Sequence, residues 1–294
     1  MRLREGPVAG ILWMVLTGLC FVGVTAVVKH VGDRIPAAEA AFLRYLLGLV
    51  FLIPMIGPLR RAALTGRVWR LSMLRGAFHT LAVILWFYAM TRITIAEVTA
   101  MNYLNPIYVT LGAALLLGER LPLRRVVAIG AALVGALVIL RPGVRELNLG
   151  HLAMVGTALF FAGSYLSAKL LSDLVSPVVV VALLSITVTL GLAPFALAVW
   201  VTPTPGELGW LFVVAALATA GHYTMTRAFA AAPLTVTQPV TFLQLVWAVS
   251  LGALAFGEPV DPWVIAGGLL ILGAVTGLTW REAVARRLAA QPIR

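Results

Sequence analysis

The chain has 294 residues, of which 61% are hydrophobic and only 11% charged, with a mean hydropathy of +1.01; a soluble domain carries nearer a quarter charged residues, so that class is excluded. The formal charge of +11 comes from 22 basic and 11 acidic residues, but the basic ones are scattered between apolar runs and form no nucleic-acid patch. The only cysteine, Cys20, lies inside the first apolar run, which excludes a disulfide framework and a thiolate metal site.

Ten apolar spans are predicted at about 7–28, 37–56, 71–90, 94–117, 123–140, 150–170, 178–200, 208–230, 234–256 and 261–279, each as long as a bilayer requires. The first follows Arg2 and Arg4 as a signal peptide would, but it is too long and more spans follow, so it is expected to stay attached. An even count puts both termini on one side. With the termini inside, cytoplasmic segments hold Arg2, Arg4, Arg60, Arg61, Arg67, Arg70, Arg120, Arg124, Arg125, Lys169 and the basic tail, against Lys29, Arg34, Arg92, Arg141 and Arg145 outside. The positive-inside rule therefore predicts a multi-pass inner (plasma) membrane protein with cytoplasmic termini.

The chain is internally duplicated. Phe87–Glu119 recurs without a gap as Thr226–Glu258, at an offset of 139, and the openings of the two halves align at an offset of 140, with Thr17 on Thr157, Phe21 on Phe161 and Lys29 on Lys169. The units are residues 1–143 and 144–294. Five spans per unit is an odd number, so the second enters the membrane from the opposite side. The expected fold is all-α, ten transmembrane helices arranged as two inverted five-helix repeats, with a solute site near the midplane between them.

Polar residues inside the spans are costly in lipid and mark candidate sites. In the second span Arg44 either anchors a neighbouring span or binds an anionic group; Glu39, five residues earlier, is about 140° away around the helix and is not expected to pair with it. Arg75 and His79 share a face of the third span, which Trp86 continues. That face could hold a solute with a charged end and a ring, and His79 could equally be an interhelical contact. In the fourth span Glu97 suits a proton-coupled acid, an attraction for a cationic solute, or a solvated position at the membrane surface. Asn102 follows, and Pro106 interrupts the hydrogen-bond ladder as a kink or hinge. Phe160, Ser164 and Tyr165 supply a wall and polar pair in the sixth span, His222 and Tyr223 in the eighth. In the ninth, Gln238, Thr241 and Gln244 lie along one side, and Pro239 repeats the proline. Glu119 and Glu258 sit in Gly-Glu turns, where a carboxylate can cap the following helix. Glycines of the fifth and tenth spans are expected to serve close packing.

The paired Gly-Glu turns, each after a span containing a proline, and the glycine-rich RVVAIGAALVGALVILRP stretch resemble the EamA group of the drug/metabolite transporter superfamily over essentially the whole chain. Gln244–Trp247 through Glu258 and the ending Thr279–Glu282 resemble a branch that includes S-adenosylmethionine and riboflavin carriers. That resemblance implies a ten-helix carrier of a small organic solute (amino acid, nucleoside-like or vitamin-like), with a central cavity lined mainly by spans 1, 3, 4, 6, 8 and 9. No metal-ligand spacing, phosphate loop or nucleophile motif is present, so no enzyme activity and no cofactor are expected. The expected partners are a small-molecule substrate and the lipid bilayer, not nucleic acid. A homodimer stays open, as do two alternatives to a carrier: a non-transporting binding or assembly subunit, and a channel-like facilitator.

Overall fold

The computed structural model describes residues 7–117, 123–142, 144, 147–231 and 238–289. Among them the chain is helical: α1 (Pro7–Val31), α2 (Ala37–Gly48), a 3-10 turn (Leu49–Met55), α3 (Ile56–Arg61), α4 (Gly66–Met90), α5 (Ile95–Asn102), α6 (Asn105–Leu117), α7 (Leu123–Leu140), α8 (Leu149–Ser172), α9 (Pro177–Ala198), α10 (Pro205–Ala231), a second 3-10 turn (Gln238–Thr241), α11 (Phe242–Phe256) and α12 (Pro262–Ala289). Six segments are long and apolar enough to cross a membrane: Val8–Val31, Ala37–Arg61, Gly66–Met90, Leu149–Ala168, Val178–Ala198 and Pro205–Met225. Val126–Leu140, Leu243–Phe256 and Pro262–Gly277 are shorter apolar helices. Large side chains such as Leu137, Leu190 and Leu254 are fully or largely exposed. In water they would be liabilities, but on a multi-pass membrane protein they meet lipid.

Local chemistry sets the helix ends. Thr65 begins α4 by accepting from Val68 N, while α1 stops at Gly32, whose φ of +76° suits a residue without a Cβ. Three expected spans differ in detail. The second runs on to Arg61 and tightens to 3-10 geometry around Pro54, which has no N–H for an α-helical bond. The fourth is broken at Tyr103–Leu104 into α5 and α6, so that Pro106 stands in the first turn of a new helix, where its missing N–H costs nothing. The tenth continues to Ala289.

The most extensive contacts are α4 on α8 and α1 on α10, followed by α7 on α12, α2 on α9, α4 on α9, α6 on α8, α10 on α2, α5 on α11, α2 on α4, α1 on α11 and α5 on α12. Exchanging α1 with α8, α2 with α9, α4 with α10, α5–α6 with α11 and α7 with α12 maps these contacts onto one another except α2–α4 and α5–α12, which have no counterpart of similar extent among the described residues. Where α7 crosses α12, a Cβ on Gly135 would sit 2.8 Å from the Gly267 carbonyl, and one on Gly267 would sit 2.5 Å from the Gly135 carbonyl. Here the expected glycine packing is real, whereas Gly130, Gly273 and Gly277 face open space.

The C-terminal ends of α1 and α4 and the N-terminal ends of α2, α5, α8, α10 and α12 gather at one end of the bundle, joined there by polar contacts. We call this the Lys29 end. A separate apolar cluster of Val68, Leu171, Val179, Val180 and Leu183 lies toward the other end.

Candidate functional site

The centre of α4 carries the first cluster. His79 is buried, with Nδ1 3.0 Å from Ser164 Oγ on α8 and Nε2 2.9 Å from the Tyr45 hydroxyl on α2. One turn earlier Arg75 donates from Nη1 to the Val180 carbonyl on α9 at 2.9 Å. The i, i+4 face read from the sequence thus joins four helices. Phe161 packs on His79 (4.9 Å between ring centroids), on Trp86 (6.2 Å) and on Tyr165 (5.9 Å). The Arg44 guanidinium lies 4.1 Å over the Tyr45 ring, a cation–π contact. Arg75, His222 and Arg44 all lie within electrostatic reach of His79.

Tyr165 on α8 stacks on Phe161 yet keeps 42% of its surface accessible, and His222 on α10 is exposed as well.

Around His222 the second cluster echoes the first. Phe21 meets His222 edge-on at 5.2 Å, just as its repeat partner Phe161 meets His79, and Thr17 shares a 2.9 Å hydrogen bond with Thr224. Tyr103, at the break between α5 and α6, donates to the Thr241 carbonyl at the 3-10 turn before α11. The two interrupted segments therefore meet. Asn102 and Gln244 are half-buried beside this junction and make no hydrogen bond among the described residues.

Other predicted residues lie elsewhere. Tyr223 joins Trp13 and accepts from Arg227 at 3.0 Å. Phe160 packs on Phe78, leaving Phe161 as the ring against His79. Glu119 lies outside the described residues, as do the side chains of Gln238, Pro239 and Pro106.

The acids belong to the Lys29 end. Glu97 is buried in a capping box at the start of α5: its Oε2 accepts from Thr94 N at 2.9 Å and Thr94 Oγ1 at 3.0 Å, and Thr94 Oγ1 accepts from Glu97 N. This is the reciprocal pairing that satisfies two orphan amides. Its Oε1 lies 3.1 Å from His151 Nε2, and His151 Nδ1 accepts from Asn148 N at the start of α8. Because Nδ1 accepts, Nε2 carries the hydrogen and donates to Glu97. Glu258 was expected to cap the helix that follows it. Instead its Oε2 accepts from Ile95 N of α5 at 2.9 Å while Oε1 pairs with Lys29, which also donates to the Ile93 carbonyl at 2.9 Å. Lys29, Glu258, Glu97 and His151 thus tie α1, α5, α8 and the α11–α12 turn together. A cavity of about 280 Å³ lies beside them, bordered by Asp33, Pro36, Phe87, Tyr88 and Arg92. His151 and Phe161 escaped notice as site residues; for Phe161 the one available signal was its alignment with Phe21.

Duplicated halves and broken helices that meet are features of carriers. The EamA-like transporter family model matches residues 8–141 and again 148–280. The chain belongs to the EamA-like transporter family. Among its relatives, the riboflavin transporter of Vibrio cholerae serotype O1 is 29% identical over 98% of each chain. The pseudopaline exporter of Pseudomonas aeruginosa UCBPP-PA14 is 29% identical over 92% of this chain and 96% of its own. One crystal structure superposes with a TM-score of 0.58 at 20% identity, covering 95% of this chain and 98% of that one, a likeness of fold alone. Family and relatives point to a membrane transporter of small metabolites.

Proposed function

We propose that the protein is a secondary carrier that moves a ring-bearing small organic solute across the inner membrane by alternating access. The observation that carries this reading is the accessible pair Tyr165 on α8 and His222 on α10, both from the second half, set near the aromatic residues Tyr45, His79, Trp86 and Phe161 that join the two halves. A mostly aromatic pocket with a few polar anchors suits a planar solute, and one relative is a riboflavin transporter. The architecture in this reading is ten spans in two inverted halves, which the exchange symmetry of the helix contacts supports. The Lys29 end faces outward, the termini are cytoplasmic, and the Lys29–Glu258 and Glu97–His151 ties close the outer gate while a central cavity communicates with the inside.

Counterflow in proteoliposomes tests this. Vesicles loaded with unlabelled riboflavin should take up labelled riboflavin with a transient overshoot and should saturate. Linear flux indifferent to internal solute would indicate a channel-like facilitator, and absence of flux for every ring solute would remove the carrier reading.

A further inference from the structure

We infer that the solute is an anion: a planar ring bearing a carboxylate or phosphate, met by the guanidinium groups of Arg75 and Arg44. This rests on the carrier reading and adds the charge class of the same site.

The inference follows from where the charges are. Arg75 is only 8% exposed, in the middle of an apolar helix, and its one hydrogen bond among the described residues is from Nη1 to the Val180 carbonyl. Its Nε is buried without a partner. A guanidinium has five N–H donors, so a single carbonyl leaves most of its capacity unused. Arg44, the second cation of the cluster, has a ring for its neighbour, the Tyr45 face. Among the described residues, the groups that act on Arg75 and His79 are Arg44, His222, Tyr45 and Tyr165, and no carboxylate is among them.

The described acids make their contacts elsewhere. Glu39 Oε2 accepts from Val201 N while its Oε1 is buried without a partner, Glu97 caps α5, Glu207 pairs with Arg34, Glu258 with Lys29 and Asp261 with Arg141. Asp33 borders the cavity at the Lys29 end and Asp173 is exposed at the end of α8. Glu5, Glu119 and Glu146 fall outside the apolar spans in the sequence, and Glu282 follows the apolar stretch of α12. Among the described residues, a buried Arg75 and a half-buried Arg44 therefore have no carboxylate paired with them. Such a cation is costly in a low-dielectric bundle unless an anion joins it.

A second unused donor on α4 agrees. Trp86 Nε1 is buried with no acceptor, and an indole N–H can only donate. Unpartnered donors beside an aromatic shelf call for acceptor-rich charge next to a ring. A cationic solute would meet two like charges.

A matched series separates charge from ring. Indole-3-acetate, indole-3-ethanol and tryptamine share one ring and are anionic, neutral and cationic; flavin mononucleotide and riboflavin make a second pair, with a phosphate as the charge. Apparent affinities are read from ligand-dependent melting of the nanodisc-embedded protein, and competition with flux is read in proteoliposomes. The anion should bind at least tenfold tighter than its neutral partner in one or both pairs, showing whether carboxylate or phosphate is preferred, and tryptamine should bind weakest. In Arg75→Gln the anion-to-neutral ratio should fall to within about twofold, with Arg75→Lys intermediate. Equal affinity of anion and neutral, or preference for the cation, in the wild-type protein overturns the inference while leaving a ring carrier intact. A tenfold preference that survives in both Arg75→Gln and Arg44→Gln overturns the assignment to these residues. If no ring compound binds or moves, the carrier reading and this inference fall together. A variant that does not fold leaves the wild-type charge series, which decides the matter alone.

Discussion

Glu258 offers the sharpest structural test, because one carboxylate serves two partners in the other half of the chain. Its Oε2 caps Ile95 N and its Oε1 pairs with Lys29, with side-chain exposures of 9% for Glu258 and 21% for Lys29. Losing a cap acceptor costs about 1 kcal/mol. Breaking a fully buried ion pair from one side costs about 3–5 kcal/mol and an exposed one about 0–1. Lys29 is partly exposed and keeps the Ile93 carbonyl, so about 2 kcal/mol is the appropriate share. Glu258→Ala should therefore destabilise by about 3 kcal/mol in all. Glu258→Gln keeps an oxygen for Ile95 N and should lose only the ion-pair part, about 2 kcal/mol. In a double-mutant cycle with Lys29→Met the coupling should be about 1–2 kcal/mol. Denaturant titration in mixed micelles measures these values. A Glu258→Ala variant within 0.5 kcal/mol of wild type (the usual range of surface substitutions), or a coupling near zero, would refute the idea that this carboxylate joins the halves.

Three further predictions test other parts of the structure. Gly135→Ala should destabilise by about 1–3 kcal/mol through overpacking against Gly267 and Ile271, whereas Gly130→Ala, which meets open space, should be neutral or stabilising by up to about 1 kcal/mol; the same titration reads both. Trp86→Ala should weaken solute binding far more than Trp263→Ala, since Trp86 stands in the aromatic cluster and Trp263 is 54% exposed; equal losses in a binding isotherm would count against the cavity. Glu207 pairs with Arg34 at an exposed position and accepts from Thr204 N, so added salt should cost the wild-type protein some stability that Glu207→Gln has already lost; an identical salt dependence would show that the pair is idle.

Legibility in the sequence tracked how local the determining physics was. Apolar run length placed the helices, and the i, i+4 spacing of Arg75 and His79 put both on one buried face because helix geometry alone decides it. The break at Tyr103 was misplaced by a few residues: a proline marks trouble in a helix but fits comfortably in the first turn of the next one. Phe160 was favoured over Phe161, since α8 is apolar on most sides and its rotation is set by packing on α4, which no stripe in α8 reveals. The same limit applies to the carboxylates. Glu258 and Ile95 are 163 residues apart, and only the docking of one half on the other brings the acid to that amide. Glu97 was legible as an ionisable residue near a helix start, and Thr94 three residues earlier was a capping-box signal; its tie to His151 was not, because it depends on α8 packing beside α5.

The proposed carrier mechanism requires an accessible cavity between the halves, so the most direct measurement is the accessibility of its expected walls. In a Cys20→Ser background, Tyr165→Cys on α8 and His222→Cys on α10 should react with a membrane-impermeant thiol reagent applied from the side opposite the Lys29 end, and a bound ring solute should protect both. Leu190→Cys, on the 63% exposed outer face of α9, should stay unmodified in lipid. Unreactive cysteines at both sites, or reactivity no greater than at Leu190→Cys and indifferent to solute, would contradict the cavity and with it the carrier mechanism.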